Sequence, residues 1–559
     1  IGVLGLAALL RFWGLGDKPL HHDESMHAYF SLQFAENPSS YTYLPLLHGP
    51  FQFHAEGLVF AVILGLQHLF ASNALGNPWI NDTTARFLPV CFGLGIVALP
   101  LGLRRQLGRA GALVAAFLLA VSPSFVYFSR FLREDIYFNF FMFAMVVCAV
   151  QFAQKRTMRW FVALFAAAIL AYTTFEGTFI TFAIFLGFLV VLAVWEFAHT
   201  VARRLPASFT AGERTFFSRA GLLMLLGAGA SLLALIGLRK LSEIGAYINR
   251  YPNQSQAQAT QLENTTVAVL LYASILIALI VIGTLLWQMY RDDLAAQPQP
   301  DAPEEDDEFA LDGPPAVRTG IAGRLDAVFS GPARLVASLR ERVDPDRQPF
   351  LSMLLGVSWV YWFVAFVVAW MLFAALFWEI PGSVVQTWGQ GFQQGVGQGI
   401  WQGLYYWLEQ QPIARGGQPW YYYLLLIPLY EQLAVVFGVA GIVYSLFRPT
   451  RFRLFLIWWF VVSLFLYSWA GEKMPWLSIH ILLPLMLLAA VAVARALVGT
   501  MDVIRQLAAS DLITREVAVV PGARFKSRAS VLGVAVALLL LIPMVHSMLT
   551  LSQVDAANG

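Results

Sequence analysis

Apolar runs of membrane-spanning length recur every few tens of residues along this chain of 559 residues, and only short hydrophilic loops separate them. Hydrophobic residues make up 58% of the chain and charged residues only 13%. Soluble globular domains do not have this composition. A helix of roughly 20 apolar residues crosses a bilayer. The sequence therefore predicts an all-α, polytopic helical membrane protein with about thirteen transmembrane helices plus interfacial helices in the outer loops.

Charge and cysteine usage exclude other classes. The formal net charge is only +2, and the basic residues are dispersed along loop ends rather than gathered on one face, so no nucleic-acid partner is expected. Cys91 and Cys148 both fall inside apolar runs. They are predicted to be small buried side chains, without a disulfide framework or metal-ligand spacing.

The connections between candidate spans alternate in charge, which predicts the orientation of the chain. Residues 1–13 are interpreted as the outer end of a retained helical anchor. The further candidate spans are 84–103, 110–128, 137–153, 160–173, 177–196, 220–238, 267–290, 350–377, 422–446, 454–469, 477–498 and 529–548. Alternate connections are rich in arginine, as at 104–109 and 448–453, and are predicted to be cytoplasmic. The opposite set is predicted to face outside and carries acidic residues instead, among them Asp23, Glu24, Asp135, Glu176 and Glu472.

One apolar stretch, Phe51 to Phe70, would break this alternation if it crossed the membrane. It would place Asp82 and Arg86 inside and invert every later loop. We therefore expect an amphipathic or re-entrant helix along the outer interface.

The same pattern divides the chain into three parts. Residues 1–290 form an N-terminal transmembrane module with a first outer loop at 14–83. Residues 291–348 are a cytoplasmic linker, an acidic and Pro-rich disordered stretch followed by a basic amphipathic helix, and a tether is favoured over a catalytic role. Residues 349–559 form a C-terminal module with an outer interfacial helix at about 384–410, whose face suits either sugar binding or an ordinary aromatic belt.

The motif LHHDES, residues 20–25, places two carboxylates, Asp23 and Glu24, just past the first apolar segment. An ionisable cluster at a bilayer boundary is costly unless it lines a wet cavity or meets a partner, so it indicates a functional site. His22 and its neighbours could also hold a divalent metal. HHDE lacks the ordered spacing of a zinc site, so metal dependence stays open.

Most other charges that topology does not explain also lie on the outer side. They are His48, Arg130, Arg133, Glu134, Asp135, Glu176, Glu472 and Lys473. Outward arginine and lysine run against the positive-inside bias and need an anionic partner, either a neighbouring carboxylate or a phosphate. His480, one turn into a span, is either a satisfied helix-end histidine or a ligand.

Several of these motifs resemble those of a known superfamily of membrane enzymes. HHDES in a first outer loop, HGP before a helix and SPSFVYFSRFLRED after a later span resemble the GT-C superfamily of polyprenyl-phosphate-sugar-dependent glycosyltransferases. The runs YLPLLHGPFQFH, ARGGQPWYYYLLLIPLYE and GEKMPWLSIHILLPL resemble a narrower family, the flippase-activity-associated proteins, which are related to protein O-mannosyltransferases and the aminoarabinose lipid A transferase. The resemblance covers most of the chain. One departure is Phe175 in TTFEG, where relatives often have a basic residue.

The resemblance implies a GT-C fold and an inverting transfer of sugar from a polyprenyl-phosphate donor to a hydroxyl of a protein, lipid or glycan. The site would face outside the inner membrane of a prokaryote. Its expected base is Asp23, with Glu24 and Asp135 orienting it and the acceptor. Lys473, Arg133, Arg130 and His48 are expected to bind the donor phosphate, with Glu472, Glu176, His22 and His480 in support and Glu472 holding Lys473. Asp23 and Asp135 should then lie within roughly 10 Å of each other.

Two other interpretations remain open. A lipid-linked-sugar flippase or transporter would show internal repeats and charges near the middle of the membrane, and the sequence shows neither. An accessory subunit of a membrane-protein complex would keep the fold without the chemistry.

Overall fold

The computed structural model describes residues 1–38, 47–71, 76–203, 205–262, 338–377, 403–411, 417–510 and 523–557, with single residues between 264 and 276 and at 401 and 413. The regular structure in these segments is helical, so the predicted all-α class is confirmed. Most of the predicted span 267–290, most of the linker 291–348 and most of the interfacial helix before Gly403 lie outside the described residues.

The N-terminal part of the chain is a series of helices interrupted at glycine and proline. They are α1 (Gly2–Phe12), α2 (His22–Glu36), α3 (Phe51–Phe70), α4 (Asp82–Ala85), α5 (Phe87–Ala98) with a 3-10 turn at Leu99–Leu103, α6 (Arg104–Val121), α7 (Pro123–Phe128), α8 (Glu134–Lys155), α9 (Met158–Tyr172), α10 (Thr178–Ala202) and α11 (Ala211–Arg250).

The C-terminal part continues in the same manner. Its helices are α12 (Pro349–Leu355), α13 (Trp359–Leu376), α14 (Gly403–Gln410), α15 (Tyr422–Tyr430), α16 (Gln432–Phe447), α17 (Arg451–Trp469), α18 (Ser478–Ser510), preceded by a 3-10 turn at Pro475–Leu477, and α19 (Ala523–Ala557).

The described residues contain nine helical stretches that are long and apolar enough to cross a membrane, and the bent pair α15–α16 makes a possible tenth. The shorter apolar helices α1 and α9 come in addition. The protein is therefore an integral membrane protein. Helix α3 also passes this test of length and composition, so its placement along the outer interface stays a prediction.

Two stretches of the chain contain a break in the helix. The stretch 82–121 is kinked at Gly108, within the predicted connection 104–109, and the φ of Gly108, 80°, falls in the left-handed region. The predicted span 422–446 is broken at Glu431, where α15 and α16 meet at 110°. Pro428 precedes the break, and a proline leaves one backbone carbonyl without its helical partner.

The break at Glu431 is stabilised by a second break in the chain. Glu431 is fully buried, and its Oε1 accepts hydrogen bonds from the Ser122 hydroxyl at 2.5 Å and the Ser124 N–H at 3.0 Å. These donors lie where α6 gives way to α7, at Ser122 and Pro123. Helix α7 and the polar loop that follows it are thereby held against the C-terminal helices.

The helices group into two compact units, and the division predicted at residues 290 and 349 stays a prediction. The larger unit combines Ile1–Val190, Ala230–Thr260 and Trp359–Gly559; the smaller combines Val191–Gly229 and Gln261–Ser358. In the larger unit α8 and the stretch Pro475–Arg505 are the most enclosed helices, with 72% and 78% of their apolar windows buried. Their N-terminal ends carry Asp135 and His480, so the core positions the site.

Candidate active site

The polar loop after α7 ends in two acidic residues at a helix N-terminus. Arg133 is the N-cap of α8 and has an extended backbone, and Glu134 and Asp135 occupy the first turn. The partial positive charge of a helix N-terminus stabilises carboxylates there. Both residues are only 1% exposed, so their carboxylates also need partners within the protein.

Arg133 is the common partner of three carboxylates. Its Nη1 lies 2.6 Å from Asp23 Oδ2, and its Nε lies 2.8 Å from Glu134 Oε1 and 3.2 Å from Asp135 Oδ2. The guanidinium carbon lies 3.8 Å from the ring centroid of Trp476. A planar guanidinium binds carboxylates along its edges and an aromatic ring on its face, and a lysine could not do both. Asp23 and Asp135, 112 positions apart, thus meet on one side chain.

Asp23 is the carboxylate of this cluster that remains open to the surroundings. Its side chain is 25% exposed, compared with 1% for Glu134 and 2% for Asp135. It lies in the first turn of α2, a helix that begins with a capping box between His21 and Glu24. Oδ2 binds Arg133, whereas Oδ1 makes no hydrogen bond to the described residues. Oδ1 is therefore a free acceptor at the edge of the cluster.

Glu24 is buried and supports the loop that carries Asp23. Its two oxygens accept a bidentate pair of hydrogen bonds from Arg86, Nε at 2.8 Å and Nη2 at 2.7 Å, and further bonds from the N–H groups of Leu132 and His21. These contacts tie Glu24 to Arg86 and to the loop before α8. Both of its oxygens are already occupied.

Arg86 is a site residue that sequence reasoning treated only as a marker of topology. Besides Glu24, it donates to the carbonyls of Leu15, Lys18 and Pro19, at 2.8 to 3.1 Å. The sequence contained an indication of this role, since Arg86, like Arg130 and Arg133, is an arginine in a loop predicted to face outside. Its partner could not be read from the sequence, because 62 positions separate it from Glu24.

Asp135 also binds His480. His480 Nε2 lies 3.0 Å from Asp135 Oδ1, and the Asn139 side-chain amide lies 3.0 Å from His480 Nδ1. In the orientation that the structure gives this amide, its nitrogen donates to Nδ1, so the proton of the imidazole is on Nε2 and points to Asp135. His480 is therefore the satisfied helix-end histidine, and it orients Asp135. Asn139 was missed, although it lies one helical turn after Asp135 on the same face.

The HGP motif holds His48 through backbone contacts. His48 has φ of 66°, and a Cβ on Gly49 would overlap the Thr173 carbonyl. This close approach lets the N–H of Gly49 donate to Thr174 and the N–H of Phe51 donate to Thr173. Only glycine allows the two loops to approach so closely. His48 is thereby fixed beside the loop that contains Glu176.

His48 bridges two carboxylates. Its Nδ1 lies 2.8 Å from Glu176 Oε2 and its Nε2 lies 3.2 Å from Glu134 Oε1. Burial by itself lowers the pKa of His48, but the carboxylates Glu134 and Glu176 outweigh it and raise the pKa to about 9. His48 is then an imidazolium at neutral pH. Both of its donors are occupied, so it supplies positive charge rather than a free hydrogen bond.

A cavity of about 230 Å³ opens above these charges. His48, Arg133 and Glu176 contribute its polar side, and the remaining walls are mostly apolar, from α10, α14, α17 and residues 472–477. The Trp407 ring of α14 lies 5.5 Å from the His48 ring at an interplanar angle of 15°. The described part of the predicted interfacial helix therefore covers the charged cluster with an aromatic residue.

The remaining predicted residues lie around this cluster. Arg130 Nη2 donates to the Gly14 carbonyl at 2.7 Å, which ties it to the first loop rather than to the cavity. Lys473 Nζ donates to the Ala470 carbonyl at 2.7 Å and forms no ion pair with a described residue, so Glu472 does not hold it. Glu472 lines the cavity, and His22 is exposed on the first turn of α2.

The cluster contains more carboxylates than cations. Four carboxylates, Asp23, Glu134, Asp135 and Glu176, face two cations, Arg133 and His48. Among the described residues no group of three or more His, Cys, Asp or Glu side chains is arranged to hold a metal ion, so the possible divalent metal has no support.

Comparison with known families supports the resemblance derived from the motifs. Residues 81–208 match the model of a family described as dolichyl-phosphate-mannose-protein mannosyltransferase. The match includes Arg86, the SRFLRED loop and Glu176. The predicted resemblance to polyprenyl-phosphate-sugar-dependent glycosyltransferases is confirmed at this level. The narrower family stays a prediction, and no curated protein matches the chain.

Two solved structures align with this chain over nearly its whole length. A crystal structure of ArnT from Cupriavidus metallidurans bound to undecaprenyl phosphate aligns with a TM-score of 0.43 at 14% identity, over 99% of this chain and 76% of that one. The archaeal oligosaccharyltransferase AglB from Archaeoglobus fulgidus, in complex with an inhibitory peptide and a dolichol phosphate, aligns with a TM-score of 0.42 at 15% identity, over 99% of this chain and 55% of that one.

Proposed function

We propose that the protein is a membrane glycosyltransferase that moves a sugar from a polyprenyl-phosphate donor to a hydroxyl acceptor, with inversion, at the outer face of the membrane. One observation carries the proposal. Asp23 and Asp135 share the guanidinium of Arg133, and Arg133 lines a cavity whose other walls are mostly apolar. The family match over residues 81–208 agrees with this chemistry.

The cavity suits a donor that is charged at one end and apolar at the other. Its aromatic and aliphatic walls can contact the first isoprene units, and Arg133 offers positive charge to the phosphate. Because three carboxylates already neutralise Arg133, a phosphate needs a second cation. We assign this role to Lys473, since its neighbours Glu472 and Met474 line the cavity and its ammonium makes one hydrogen bond.

In the proposed reaction one bond forms and one breaks at the anomeric carbon, and one proton moves to the base. The acceptor oxygen attacks the anomeric carbon, its proton passes to Asp23 Oδ1, and the bond between the sugar and the phosphate oxygen breaks. The polyprenyl phosphate leaves with the electron pair, stabilised by Arg133 and Lys473. Asp23 suits the role of base because Oδ1 is free and its side chain is partly exposed.

The other polar residues position these groups. Glu24 and Arg86 fix the first turn of α2, which sets the direction of Asp23. His480 and Asn139 fix Asp135, and His48 holds Glu134 and Glu176 together. We assign positioning roles to all of them, since each contacts another side chain of the cluster.

The test is sugar transfer by the purified protein, with a panel of undecaprenyl-phosphate sugars radiolabelled in the sugar. Asp23→Asn keeps size but removes the basic oxygen, and turnover should fall by about 10²- to 10⁴-fold with donor binding retained. Lys473→Ala should weaken both donor binding and turnover, because the ammonium attracts phosphate in the ground and transition states alike.

Asp17→Asn is the matched control, since Asp17 is an exposed carboxylate in the same loop. It should retain wild-type turnover. Equal activity of Asp23→Asn and wild type would refute the assignment of the base. A wild-type protein that binds the donors but transfers none of the sugars would favour the accessory-subunit interpretation.

A further inference from the structure

A second cavity, of about 990 Å³, lies at the other ends of the helices that carry the active site. Helix α17 ends at Trp469 beside the active-site cavity, and the second cavity includes Arg453 near its start. His480 and Arg495 lie on α18, and their 15 positions correspond to about 22 Å of helix. The two cavities therefore lie near opposite faces of the membrane.

Three arginines line this second cavity, namely Arg448, Arg453 and Arg495, and we call it the arginine cleft. Within the described residues none of the three pairs with a carboxylate. The guanidinium carbons of Arg453 and Arg495 lie 5.1 and 5.4 Å from the centroid of one ring, that of Tyr444. Two like charges on a single ring repel each other, and an anion between them would remove that repulsion.

The backbone adds to this preference for an anion. Thr450, which lines the cleft, is the N-cap of α17, a helix of 19 residues. Its side chain accepts a hydrogen bond from the Arg453 N–H, and the partial positive charge of such an N-terminus favours a phosphate beside it. Arg453 Nη1 donates to the Arg448 carbonyl, while its Nε is buried without a hydrogen-bond partner among the described residues.

The cleft is also bordered by apolar surface. Phe447 lines it and is 80% exposed, and Leu532 on the neighbouring helix α19 is 65% exposed. Such side chains can contact the acyl chains of a lipid, whereas a soluble anion gains no contact from them. Basic pockets between transmembrane helices bind anionic lipid headgroups.

We infer that the arginine cleft binds the headgroup of an anionic phospholipid from the leaflet opposite the active site, with the phosphate between Arg453 and Arg495 and the acyl chains along Phe447. This lipid is distinct from the proposed donor, which occupies the cavity at the other face.

The experiment is native mass spectrometry of the full chain after exchange into phosphatidylglycerol or phosphatidylcholine. The wild type should retain one phosphatidylglycerol and no phosphatidylcholine. Substitution of Arg448, Arg453 and Arg495 together by Gln should abolish retention, and each single change should weaken binding by about fivefold. Arg495→Gln is the most informative single change, since Arg495 makes no hydrogen bond to the described residues that its loss would break.

The matched control is the triple change of Arg104, Arg105 and Arg109 to Gln, three exposed arginines at the same end of the bundle but outside the cleft. It should bind lipid as the wild type does. Equal loss in this control, or full retention by Arg495→Gln and the triple cleft variant, overturns the inference. A titration with glycerol phosphate separates the two sources of phosphate, because saturable binding of it without any lipid binding would make the cleft a site for a soluble anion.

Discussion

Protonation of His48 between Glu134 and Glu176 makes the stability of the folded protein depend on pH. The pKa of His48 is about 9 in the folded protein, and its ordinary value is 6.5. The folded state therefore binds the proton more tightly, and this stabilisation is fully present below pH 6.5 and is lost as the pH rises through 9. A difference of about 2.5 pKa units corresponds to about 3 kcal/mol.

The perturbation is His48→Gln, which removes the titrating group. Thermal unfolding in detergent should show the wild type losing stability between pH 6.5 and 9 by an amount on the order of 3 kcal/mol. The variant should be less stable at pH 6.5 and should lack this decline. The difference between the two proteins isolates His48 from other groups that titrate in the same range.

His27→Gln is a matched control, because His27 is a buried neighbour of the same carboxylate. Its Nε2 lies 3.6 Å from Glu134 Oε2, and burial lowers its pKa to about 4. Since this pKa lies below the ordinary value, His27 opposes folding only as the pH falls from 6.5 towards 4. Between pH 6.5 and 9 the control should keep the wild-type decline. An identical pH dependence of His48→Gln and wild type in that range would refute the imidazolium bridge.

Two further predictions concern the support of the site. Glu24→Gln should destabilise the protein by about 3 to 5 kcal/mol in thermal unfolding, because it leaves the buried Arg86 without its counter-charge. The control is Glu36→Gln, the same change at an exposed position, which should have little effect. A Glu24→Gln variant as stable as this control would contradict a supporting role for the Glu24–Arg86 ion pair. Gly49→Ala should lower both stability and sugar transfer, because the added Cβ overlaps the Thr173 carbonyl. The control is Gly65→Ala on α3, whose added Cβ meets nothing within 4 Å, and it should leave both properties unchanged. Wild-type turnover in Gly49→Ala would show that the HGP motif does not position His48.

Much of the candidate site could be predicted from residue types alone. Carboxylates and arginines at the ends of apolar runs are costly in a membrane protein, so Asp23, Arg133 and Asp135 stood out without any structure. Topology also predicted that these three residues lie on one side of the membrane, because every second loop lies on the same side. The prediction that Asp23 and Asp135 approach one cavity rests on this reasoning, and both contact Arg133.

The partners of these residues could not be predicted. Lys473 was expected to pair with its neighbour Glu472, but its ammonium donates to the Ala470 carbonyl. Glu24 was expected to orient Asp23 and the acceptor, and its ion pair with Arg86 was not foreseen. Adjacent residues in a turn need not face each other, and a pair separated by 62 positions leaves no pattern in one sequence.

The sequence by itself determined the helical membrane class, the alternation of polar loops and the residue types that carry the chemistry. The hydrophobic effect and the cost of unpaired charge act on each segment regardless of its neighbours, so these properties are local. Tertiary structure alone decided that Glu431 breaks a predicted span, that Trp407 covers His48 and that Asn139 orients His480. Each depends on how one helix packs against another, and packing is set by the shapes of many side chains at once.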